Sequence, residues 1–416
     1  MKKKWLSFGI PFLSLLISSC DLIKKSEESI SSSNQISSSI SNSSSLSSSV
    51  LNEYIYGIEE ELTIHYLDLN ASGDCILIDY GNYEILIDAG GNKRAGSEII
   101  VPYLKRYVED NTIELMIATH GHEDHIAGFV GLSNQPGVLK DFSFKTIVDL
   151  GAGYDNLTNK NAITQLQSQY NELRDAKIQE GTKYYTIRDI FDLKMEKWSI
   201  APDFTFQFLK NKFYDIPYEK YTQNLNNYSI CTFLKYQNWS YLFTGDLEKE
   251  GEDSLIELNQ LEKVSVFKAG HHGSETASNE NLLKIIQPDI AVFTADSTKE
   301  STYNFPHVAA IERLTQYTTT FYTSYYNGHL QFKMKKDSSQ MEVECFENSQ
   351  IFSYIDYIKS YPTIKAIASI GSKITASSLP AIEKAEELYA TLTLEEKTYV
   401  YNYETLVLAR EKYDSL

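Results

Sequence analysis

The chain has few cysteines and few histidines, and both shortages limit the kinds of site that it can form. Its 416 residues include four cysteines and eight histidines. Cys75, Cys231 and Cys345 each lie in an apolar, strand-like run, and no two cysteines have CxxC spacing. The pattern predicts buried free thiols, and it excludes a zinc ribbon and a disulfide framework.

The chain also lacks an excess of positive charge and the fingerprints of several enzyme classes. Fifty-six acidic residues outnumber 38 basic ones, which gives a formal net charge of −18. We therefore expect no general basic face for nucleic acid, because an acidic surface repels the phosphate backbone. There is no glycine-rich phosphate loop, dinucleotide fingerprint or ordered Ser-His-Asp set. Bound cations would still attract a phosphodiester locally.

The start of the chain predicts a bacterial lipoprotein signal peptide over residues 1–20. Three lysines at residues 2–4 precede an apolar stretch, residues 6–19, that is too short to span a bilayer comfortably. The stretch ends at Ile17-Ser18-Ser19-Cys20, which resembles a lipobox. We expect cleavage before Cys20 and lipid on its side chain, with an uncleaved anchor or an ordinary signal peptide as the alternative.

Residues 21–52 predict a tether between the membrane and the folded protein. Serine dominates this segment. It has too little apolar area to offset the entropy of ordering, so we expect it to be disordered. Signal and tether together place the mature protein on the extracellular side of the cytoplasmic membrane, anchored there by lipid.

Residues 53–347 have the pattern of a layered α/β domain. Short apolar or alternating runs such as Leu62–Leu67 and Cys75–Asp79 indicate strands. Ile100–Glu109 has helical spacing, and Asn161–Lys177 indicates a second helix. Strands and helices that alternate in this way are typical of a layered α/β fold.

Residues 348–416 predict a small all-α module of three helices. Pro362 and Pro380 each suit a helix start. The segment contains no catalytic constellation, and it resembles a helical module appended to many Firmicutes surface proteins. We interpret it as an accessory or wall-facing spacer domain. The expected helices are Thr363–Ile370, Leu379–Thr391 and Leu394–Tyr413.

Three of the eight histidines and two carboxylates lie within six residues, directly after an apolar run. The cluster is His120-Gly121-His122-Glu123-Asp124-His125, and it follows Leu115–Ala118. Imidazole nitrogen and carboxylate oxygen are the ligands that Zn²⁺ and related cations prefer. His120 and His122 can point toward one metal, and Asp124 and His125 toward a second. The loop after this strand is therefore predicted to be a metal site.

This HxHxDH arrangement resembles the signature of the metallo-β-lactamase superfamily, and other motifs extend the resemblance. Ile85–Gly91 is similar to the strand-end aspartate segment of that fold. Gly73–Ile78, Tyr241–Asp246 and Phe267–Ser274 resemble successive motifs of the extracellular hydrolase domain of ComEC, in the family's order. The resemblance covers roughly residues 62–330, and it implies a four-layer αββα sandwich.

The resemblance also implies a dinuclear site, with one departure from the family's pattern. The family usually has another histidine before its bridging aspartate, but none occurs between His125 and Asp246. His271 is assigned to the first metal in its place, and Asp149 is a weaker substitute. The implied metal ligands are His120, His122, Asp124, His125, Asp246, His271 and His307. Of these, His307 follows Pro306, whereas the family usually has a Gly-His-Pro-like order.

The adjacent histidines have roles that the sequence leaves open. Neighbouring side chains on an extended backbone point in opposite directions. We therefore do not expect His271 and His272 to bind one metal, and we place His272 in a transition-state or outer role. The two roles could be exchanged. The expected catalytic residues are Asp124 and His272.

The implied activity is hydrolysis by two divalent metals, zinc by default or manganese, that activate water as hydroxide. The first expectation is a phosphodiesterase or nuclease-type enzyme acting on extracellular DNA or a wall polymer. One alternative is a metallohydrolase of a lactone, a thioester or a teichoic-acid phosphorylcholine ester. Another is a surface protein that binds without catalysis. A β-lactamase proper is disfavoured because the middle histidine is absent, and the C-terminal module is expected to contact the cell wall.

Overall fold

The computed structural model describes residues 61–151, 164–216, 225–295 and 305–416. These residues all fall in one compact unit, Asn52–Leu416. The predicted signal peptide and tether lie outside the described residues, as does the start of the helix expected from Asn161. Every helix in the described ranges is too short or too polar to cross a bilayer.

Fifteen strands in the described ranges form two mixed β-sheets. In chain order they are β1 Glu61–Tyr66, β2 Ile76–Asp79, β3 Glu84–Ile87, β4 Thr112–Ile117, β5 Ser143–Asp149, β6 Lys183–Thr186, β7 Lys197–Ala201, β8 Phe204–Leu209, β9 Cys231–Tyr236, β10 Trp239–Phe243, β11 Val266–Lys268, β12 Ile290–Phe293, β13 Phe321–Thr323, β14 Leu330–Lys335 and β15 Met341–Cys345. The first sheet has the order β15-β14-β1-β2-β3-β4-β5-β6, and the second has β13-β12-β11-β10-β9-β8-β7. Strands β3 to β6 are parallel to one another, as are β10 to β13.

Helices cover the outer faces of both sheets. The α-helices are α1 Lys93–Ala95, α2 Val101–Leu104, α3 Glu123–Val130, α4 Val138–Asp141, α5 Gln165–Gln179, α6 Ile187–Asp192, α7 Lys249–Leu258, α8 Glu280–Ile286, α9 Val308–Leu314, α10 Ser324–Asn327, α11 Tyr354–Ala368, α12 Leu379–Thr391, α13 Leu394–Lys397 and α14 Tyr403–Asp414. Short 3₁₀ turns occur at Lys212–Asp215, Asn226–Tyr228 and Ala376–Ser378. A π-helical turn at Gly96–Ile100 leads directly into α2, so the helix expected over Ile100–Glu109 begins earlier and ends at Leu104.

The alternation of side chains along the strands divides the interior into hydrophobic layers. In β4, Leu115 lies in the core between the two sheets, whereas Met116 packs under the helices of the first sheet. In β10, Phe243 lies between the sheets and Leu242 packs under the helices of the second. Burying one such large side chain contributes roughly 1.5–3 kcal/mol. The predicted four-layer αββα arrangement is confirmed.

The C-terminal helices belong to the hydrophobic layer that covers the second sheet. Phe352 is buried there, and its backbone N–H donates to the carbonyl of Phe321, the first residue of β13, at 3.0 Å. The rings of Tyr326 and Tyr399 stack with centroids 4.8 Å apart. The helices therefore pack directly on the sheet domain, and the domain boundary expected near residue 347 stays a prediction.

Two of the expected C-terminal helices differ from those observed. The first is longer, and Pro362 lies inside α11 rather than at its start. The helix expected over Leu394–Tyr413 is divided into α13 and α14, because tertiary contacts bend the chain between them. There the Tyr399 hydroxyl accepts from the Ser353 N–H at 2.7 Å, and the Asn402 amide donates to the Ile364 carbonyl at 2.9 Å. The middle helix, Leu379–Thr391, has the predicted bounds.

Candidate metal centre

The carboxyl ends of the parallel strands supply most of the polar side chains at one edge of the two sheets. Asp88 follows β3, the HxHxDH loop follows β4, and Asp246 follows β10. His271 and His272 follow β11, and Thr294 comes directly after β12. Ligand sites in α/β sheets form at such strand ends.

Asp88 holds the HxHxDH loop in place through hydrogen bonds to Thr119 and His125. Its Oδ1 accepts the Thr119 backbone N–H at 2.7 Å, and its Oδ2 accepts the Thr119 hydroxyl at 2.7 Å. The same Oδ2 accepts from His125 Nδ1 at 2.7 Å. Burial raises the pKa of Asp88, against the opposing effect of His125. This contact directs the other ring nitrogen of His125 into the centre, as carboxylates commonly do for metal-binding histidines.

Two glycines let the backbone of neighbouring loops approach Asp124. A Cβ atom on Gly90 would lie 1.7 Å from the Asp124 carbonyl oxygen, and one on Gly73 would lie 2.4 Å from it. That carbonyl accepts from the N–H groups of Asp74 at 3.1 Å and Gly91 at 3.2 Å. The Gly90-Gly91 pair therefore holds the first turn of α3 in place.

His120 and His122 face each other. His120 Nε2 lies 3.0 Å from His122 Nδ1. On the other side of its ring, His120 Nδ1 lies 3.2 Å from the Thr119 hydroxyl and 3.3 Å from the Ser229 hydroxyl. Burial, and then the neighbouring His125, hold the pKa of His120 well below its usual value. The ring is therefore neutral, which is the form that binds a metal.

Asp246 lies at the middle of the cluster, almost completely buried. Its Oδ1 is 3.1 Å from His125 Nε2 and 3.3 Å from His272 Nε2. Its Oδ2 is 3.6 Å from His271 Nε2 and 4.0 Å from His120 Nε2. Burial alone would raise the pKa of Asp246, but His125 and then His272 outweigh it and hold that pKa well below the usual range. The two oxygens of this carboxylate thus face two different groups of imidazoles.

The expectation of an extended backbone at His271 and His272 is wrong. Both residues have left-handed conformations, with φ of 50° and 55°, between Gly270 and Gly273. The His271 N–H donates to the Gly245 carbonyl at 3.0 Å, which fixes this turn against the Asp246 loop. Because the backbone is curled and not extended, both rings reach Asp246, through different oxygens.

His272 also contacts Asp124, the second carboxylate of the HxHxDH loop. Its Nε2 lies 3.3 Å from Asp124 Oδ2. Its Nδ1 lies 3.2 Å from the Thr294 hydroxyl and 3.3 Å from Asp74 Oδ1. The structure therefore places His272 with Asp124 and His125, and it places His271 at the Asp246 oxygen that faces His120.

These residues fit a divalent cation. One potential ligand atom from each of four residues lies within 4.8 Å of all the others, and the residues are Asp124, His125, Asp246 and His272. Although they lie only 3.1–3.3 Å apart, three buried atoms of this group make no hydrogen bond of acceptable geometry, namely His125 Nε2, Asp246 Oδ1 and His272 Nε2. Buried polar atoms without partners are costly and rare. A cation at this point would satisfy all three.

The electrostatics of the cluster match such a cation. Burial disfavours the charged form of His125 and of His272, yet the surrounding carboxylates, Asp246 foremost, together outweigh burial and raise the pKa of each histidine well above its usual value. The carboxylates thus favour positive charge at both rings. A bound cation would replace the protons, because a ligating imidazole is unprotonated.

The expected ligand His307 and the substitute ligand Asp149 have partners outside this ligand cluster. His307 precedes α9, its Nδ1 accepts the Glu275 N–H at 3.0 Å, and neither ligand group found among the described residues includes it. Asp149, the weaker substitute, is occupied by Arg174 at 2.9 Å and by the hydroxyls of Tyr170 at 3.0 Å and Tyr184 at 2.7 Å. These contacts engage both oxygens of Asp149 with protein partners, and neither ligand group found among the described residues includes it.

Sequence reasoning missed a buried ion pair beside the centre. Lys268 Nζ lies 2.6 Å from Asp74 Oδ2, and both side chains are almost completely buried. The same Nζ is 4.0 Å from Asp246 Oδ1 and donates to the Gly245 carbonyl at 3.3 Å. The available signals were the position of both residues inside the recognised motifs Gly73–Ile78 and Phe267–Ser274, and a lysine directly after the strand-like run Val264–Phe267, where a charged residue would be unusual.

Comparison with known proteins agrees with this geometry. Residues 70–140 match the family described as "Metallo-beta-lactamase superfamily". The chain is 24% identical over 298 residues to ComE operon protein 3 of Bacillus subtilis, an alignment that covers 65% of this chain and 34% of the relative. It is 27% identical over 261 residues to Recombination protein 2 of Haemophilus influenzae, covering 62% and 27%. The chain thus spans about a third or less of these curated relatives.

Two solved structures show weaker similarity. A CmlA beta-hydroxylase mutant aligns with a TM-score of 0.35 and 11% identity, over 66% of this chain and 54% of the other. A diphosphatase from the PhnP family aligns with a TM-score of 0.33 and 11% identity, over 66% and 99%. The family match and the buried ligand cluster support a metal-dependent hydrolase, and the chain has the metallo-β-lactamase fold and is similar in sequence to ComE operon protein 3 and Recombination protein 2.

Proposed function

We propose that the protein is a phosphodiesterase that uses two divalent cations held at this centre. The observation that carries the proposal is the position of Asp246, whose two oxygens face two separate groups of imidazoles. Cations bound there would polarise a phosphoryl oxygen and lower the pKa of water. Zinc is the default cation because imidazoles dominate the set, and manganese is the alternative.

The residues of the chain divide between the two cation positions. One position would take His120, His122 and His271, and the other would take Asp124, His125 and His272. Among the residues that the structure describes, Asp246 is the one carboxylate within 4.0 Å of a ring nitrogen from both groups. His272, which touches both Asp124 and Asp246, is therefore proposed as a ligand rather than as an outer group.

Outer partners orient the ligating rings. Asp88 holds His125 through Nδ1, and Thr294 with Asp74 holds His272 through Nδ1, so both Nε2 atoms face the centre. Such partners set the tautomer and the ring direction, and losing one typically costs about 10–100-fold in metal affinity or activity. The residues around the centre would therefore contribute to the reaction by holding the ligating rings in a fixed orientation.

The substrate class is inferred from the relatives and the chemistry. One relative is named Recombination protein 2, and this name favours a nucleic-acid phosphodiester. A wall polymer with phosphodiester links remains the alternative substrate of the same reaction. The net charge of −18 disfavours long contacts with DNA, so we expect recognition to be confined to the cation site.

The location is part of the proposal. The lipobox-like sequence before Cys20 supports a lipid anchor on the extracellular side of the membrane. We expect metabolic labelling with a radioactive fatty acid to mark the protein and Cys20→Ala to abolish the label. Fatty-acid label that persists in the Cys20→Ala protein would contradict anchoring through Cys20.

Turnover after metal exchange tests the activity. The purified ectodomain is stripped with a chelator, reloaded with Zn²⁺, Mn²⁺ or Mg²⁺, and assayed with bis-p-nitrophenyl phosphate and with DNA. We expect turnover with at least one cation, its loss in Asp246→Asn, and its retention in Asp289→Asn, which changes an exposed aspartate. Metal content without phosphodiester turnover would contradict the proposal. Hydrolysis of nitrocefin, a lactone, a thioester or a phosphorylcholine ester would then identify a hydrolase of another substrate. Absence of turnover with all of these substrates would indicate a binding protein.

A further inference from the structure

The C-terminal helices contact the loop that packs against the metal-centre histidines. We infer that α11 forms part of the scaffold of the centre and that Tyr357, on α11, is a positioning residue for His271 and His272. The inference rests on the proposed metal centre, but it does not depend on which bond the enzyme hydrolyses. Three successive contacts carry it.

The first contact joins α11 to the loop. Tyr357 is fully buried, and its hydroxyl donates to the Pro306 carbonyl at 2.6 Å. Its ring packs against Phe352 with centroids 5.1 Å apart. A buried tyrosine hydroxyl needs a hydrogen-bond partner, and here that partner is the loop and not another helix of the segment. The contact therefore fixes the position of Pro306 relative to α11.

The second contact joins the loop to the residue after His272. The His307 N–H donates to the Gly273 carbonyl at 2.8 Å. A Cβ atom on Gly273, where φ is 88°, would lie 2.6 Å from the Cβ of Pro306. His307 Nδ1 also accepts the Glu275 N–H at 3.0 Å. The Pro306–His307 segment is thus packed directly against Gly273, with no room for a side chain between them.

The third contact is made by Phe305, which is buried against both histidine rings. Its ring centroid lies 5.5 Å from that of His271 and 5.9 Å from that of His272. These two histidines have consecutive left-handed conformations, which non-glycine residues keep only when the surroundings hold them. The segment of residues 305–307 is one of those surroundings, and Tyr357 anchors it.

The contacts give the C-terminal helices a role in metal binding besides any contact with the cell wall. If the Tyr357 hydroxyl is removed, the loop loses its anchor and the His271–His272 turn gains freedom. Loss of an outer partner of a metal ligand typically weakens metal binding by about 10–100-fold. Tyr357 acts through one intervening loop, so we expect the lower end, about tenfold.

The test compares Tyr357→Phe with Tyr399→Phe in the full ectodomain. Both changes remove one hydroxyl from a buried ring of the same hydrophobic layer. The Tyr399 hydroxyl accepts from the Ser353 N–H at 2.7 Å and also has Tyr326 as a hydrogen-bond partner, and neither residue belongs to the segment of residues 305–307. Each protein is stripped of metal and titrated with Co²⁺, with affinity and the visible absorption spectrum as readouts. The thermal midpoint of each metal-free protein is measured in parallel.

We expect Tyr357→Phe to weaken Co²⁺ binding about tenfold and to alter the spectrum. We expect Tyr399→Phe to lower the thermal midpoint by a similar amount while keeping affinity and spectrum. The inference would be overturned if Tyr357→Phe binds Co²⁺ with the affinity of the parent protein, or if both variants lose the same amount of Co²⁺ affinity. Failure of the phosphodiesterase proposal would look different, because the parent would bind Co²⁺ normally without phosphodiester turnover. A parent that binds no Co²⁺ would overturn both.

Discussion

Replacing Lys268 by methionine is expected to destabilise the metal-free protein, because it leaves the Asp74 carboxylate buried without its cation. The two side chains are almost fully buried, with Nζ 2.6 Å from Oδ2. Burial alone would raise the pKa of Asp74, but Lys268 and then His272 outweigh it and hold that pKa well below the usual range. Methionine has a similar length and fills the space, so the change isolates the charge.

The magnitude follows from two independent arguments. Removing one partner of a buried ion pair typically costs about 3–5 kcal/mol. If Asp74 instead becomes protonated, bringing a carboxyl of ordinary pKa to that state at pH 7 costs about 4 kcal/mol. The two values agree. At about 2 °C per kcal/mol for a chain of this size, the thermal midpoint should fall by ~6–10 °C.

The effect has a defined pH dependence. In the parent, the folded-state pKa of Asp74 is depressed, so the stability that it contributes is present above about pH 4 and lost as the pH falls. In Lys268→Met the buried carboxyl prefers its proton, so lower pH relieves the cost by about 1.4 kcal/mol per pH unit. The difference between the two proteins should therefore narrow from pH 7 to pH 5.

The assay is urea unfolding with a chelator present at both pH values. Lys268→Met combined with Asp74→Asn should recover most of the loss, since the amide oxygen still accepts from Thr294 and no charge is left behind. Lys263→Met is the matched control, because Lys263 pairs with Asp289 at the surface at 2.6 Å and exposed pairs contribute under about 1 kcal/mol. A loss below about 1 kcal/mol for Lys268→Met, or no recovery in the double variant, would refute the reasoning.

Three further predictions concern the metal centre and helix α7, which carries Glu252 and packs near the His271–His272 turn. His271→Ala and His272→Ala should each lower the bound metal from two equivalents toward one, as measured by elemental analysis, and a His272→Ala protein with two equivalents would return His272 to an outer role. Asp88→Asn should weaken metal binding by about 10–100-fold in a competitive chelator titration, because it loosens both Thr119 and His125; unchanged affinity would contradict that bracing role. Burial raises the pKa of Glu252 to about 7, so the stability that it contributes is present below about pH 4.5 and lost as the pH rises through about 7. Glu252→Gln should therefore reduce the fall in unfolding free energy between pH 5 and pH 8 by about 2–3 kcal/mol, and an unchanged pH profile would show that Glu252 ionises normally.

The sequence was sufficient for the layers of the fold and for the segments that form the centre. The HxHxDH loop, Asp246 and the His271–His272 pair all come to one edge of the sheets, because each follows a strand whose apolar pattern is clear. Local signals also gave the bounds of Leu379–Thr391, where a proline starts the helix. These features depend on residues close together in the chain.

The features that were missed depend on residues far apart in the chain. The Lys268–Asp74 pair joins the end of β11 to the loop before β2, almost 200 residues apart, and although each residue lies inside a recognised motif, neither motif indicates that the two side chains meet. The left-handed turn at His271 and His272 is held by packing against Gly245 and Phe305, which no local propensity encodes. The break between α13 and α14 likewise arises from contacts with residues of the preceding helical segment.

The charge balance of the buried centre explains how an acidic protein could act on the anionic substrate that we propose. Asp74, Asp88, Asp124 and Asp246 surround the histidines, and Lys268 is the one lysine paired with this group among the described residues. With neutral imidazoles, four negative charges and one positive charge leave −3 in a centre where all of these charged side chains except Asp124 are almost completely buried. Two divalent cations would change that balance to +1, which favours a phosphodiester at the point of reaction even though the surface as a whole repels it. The same carboxylates that favour protons on the histidines of the metal-free centre would therefore hold the two proposed cations, and the centre would then attract an anion.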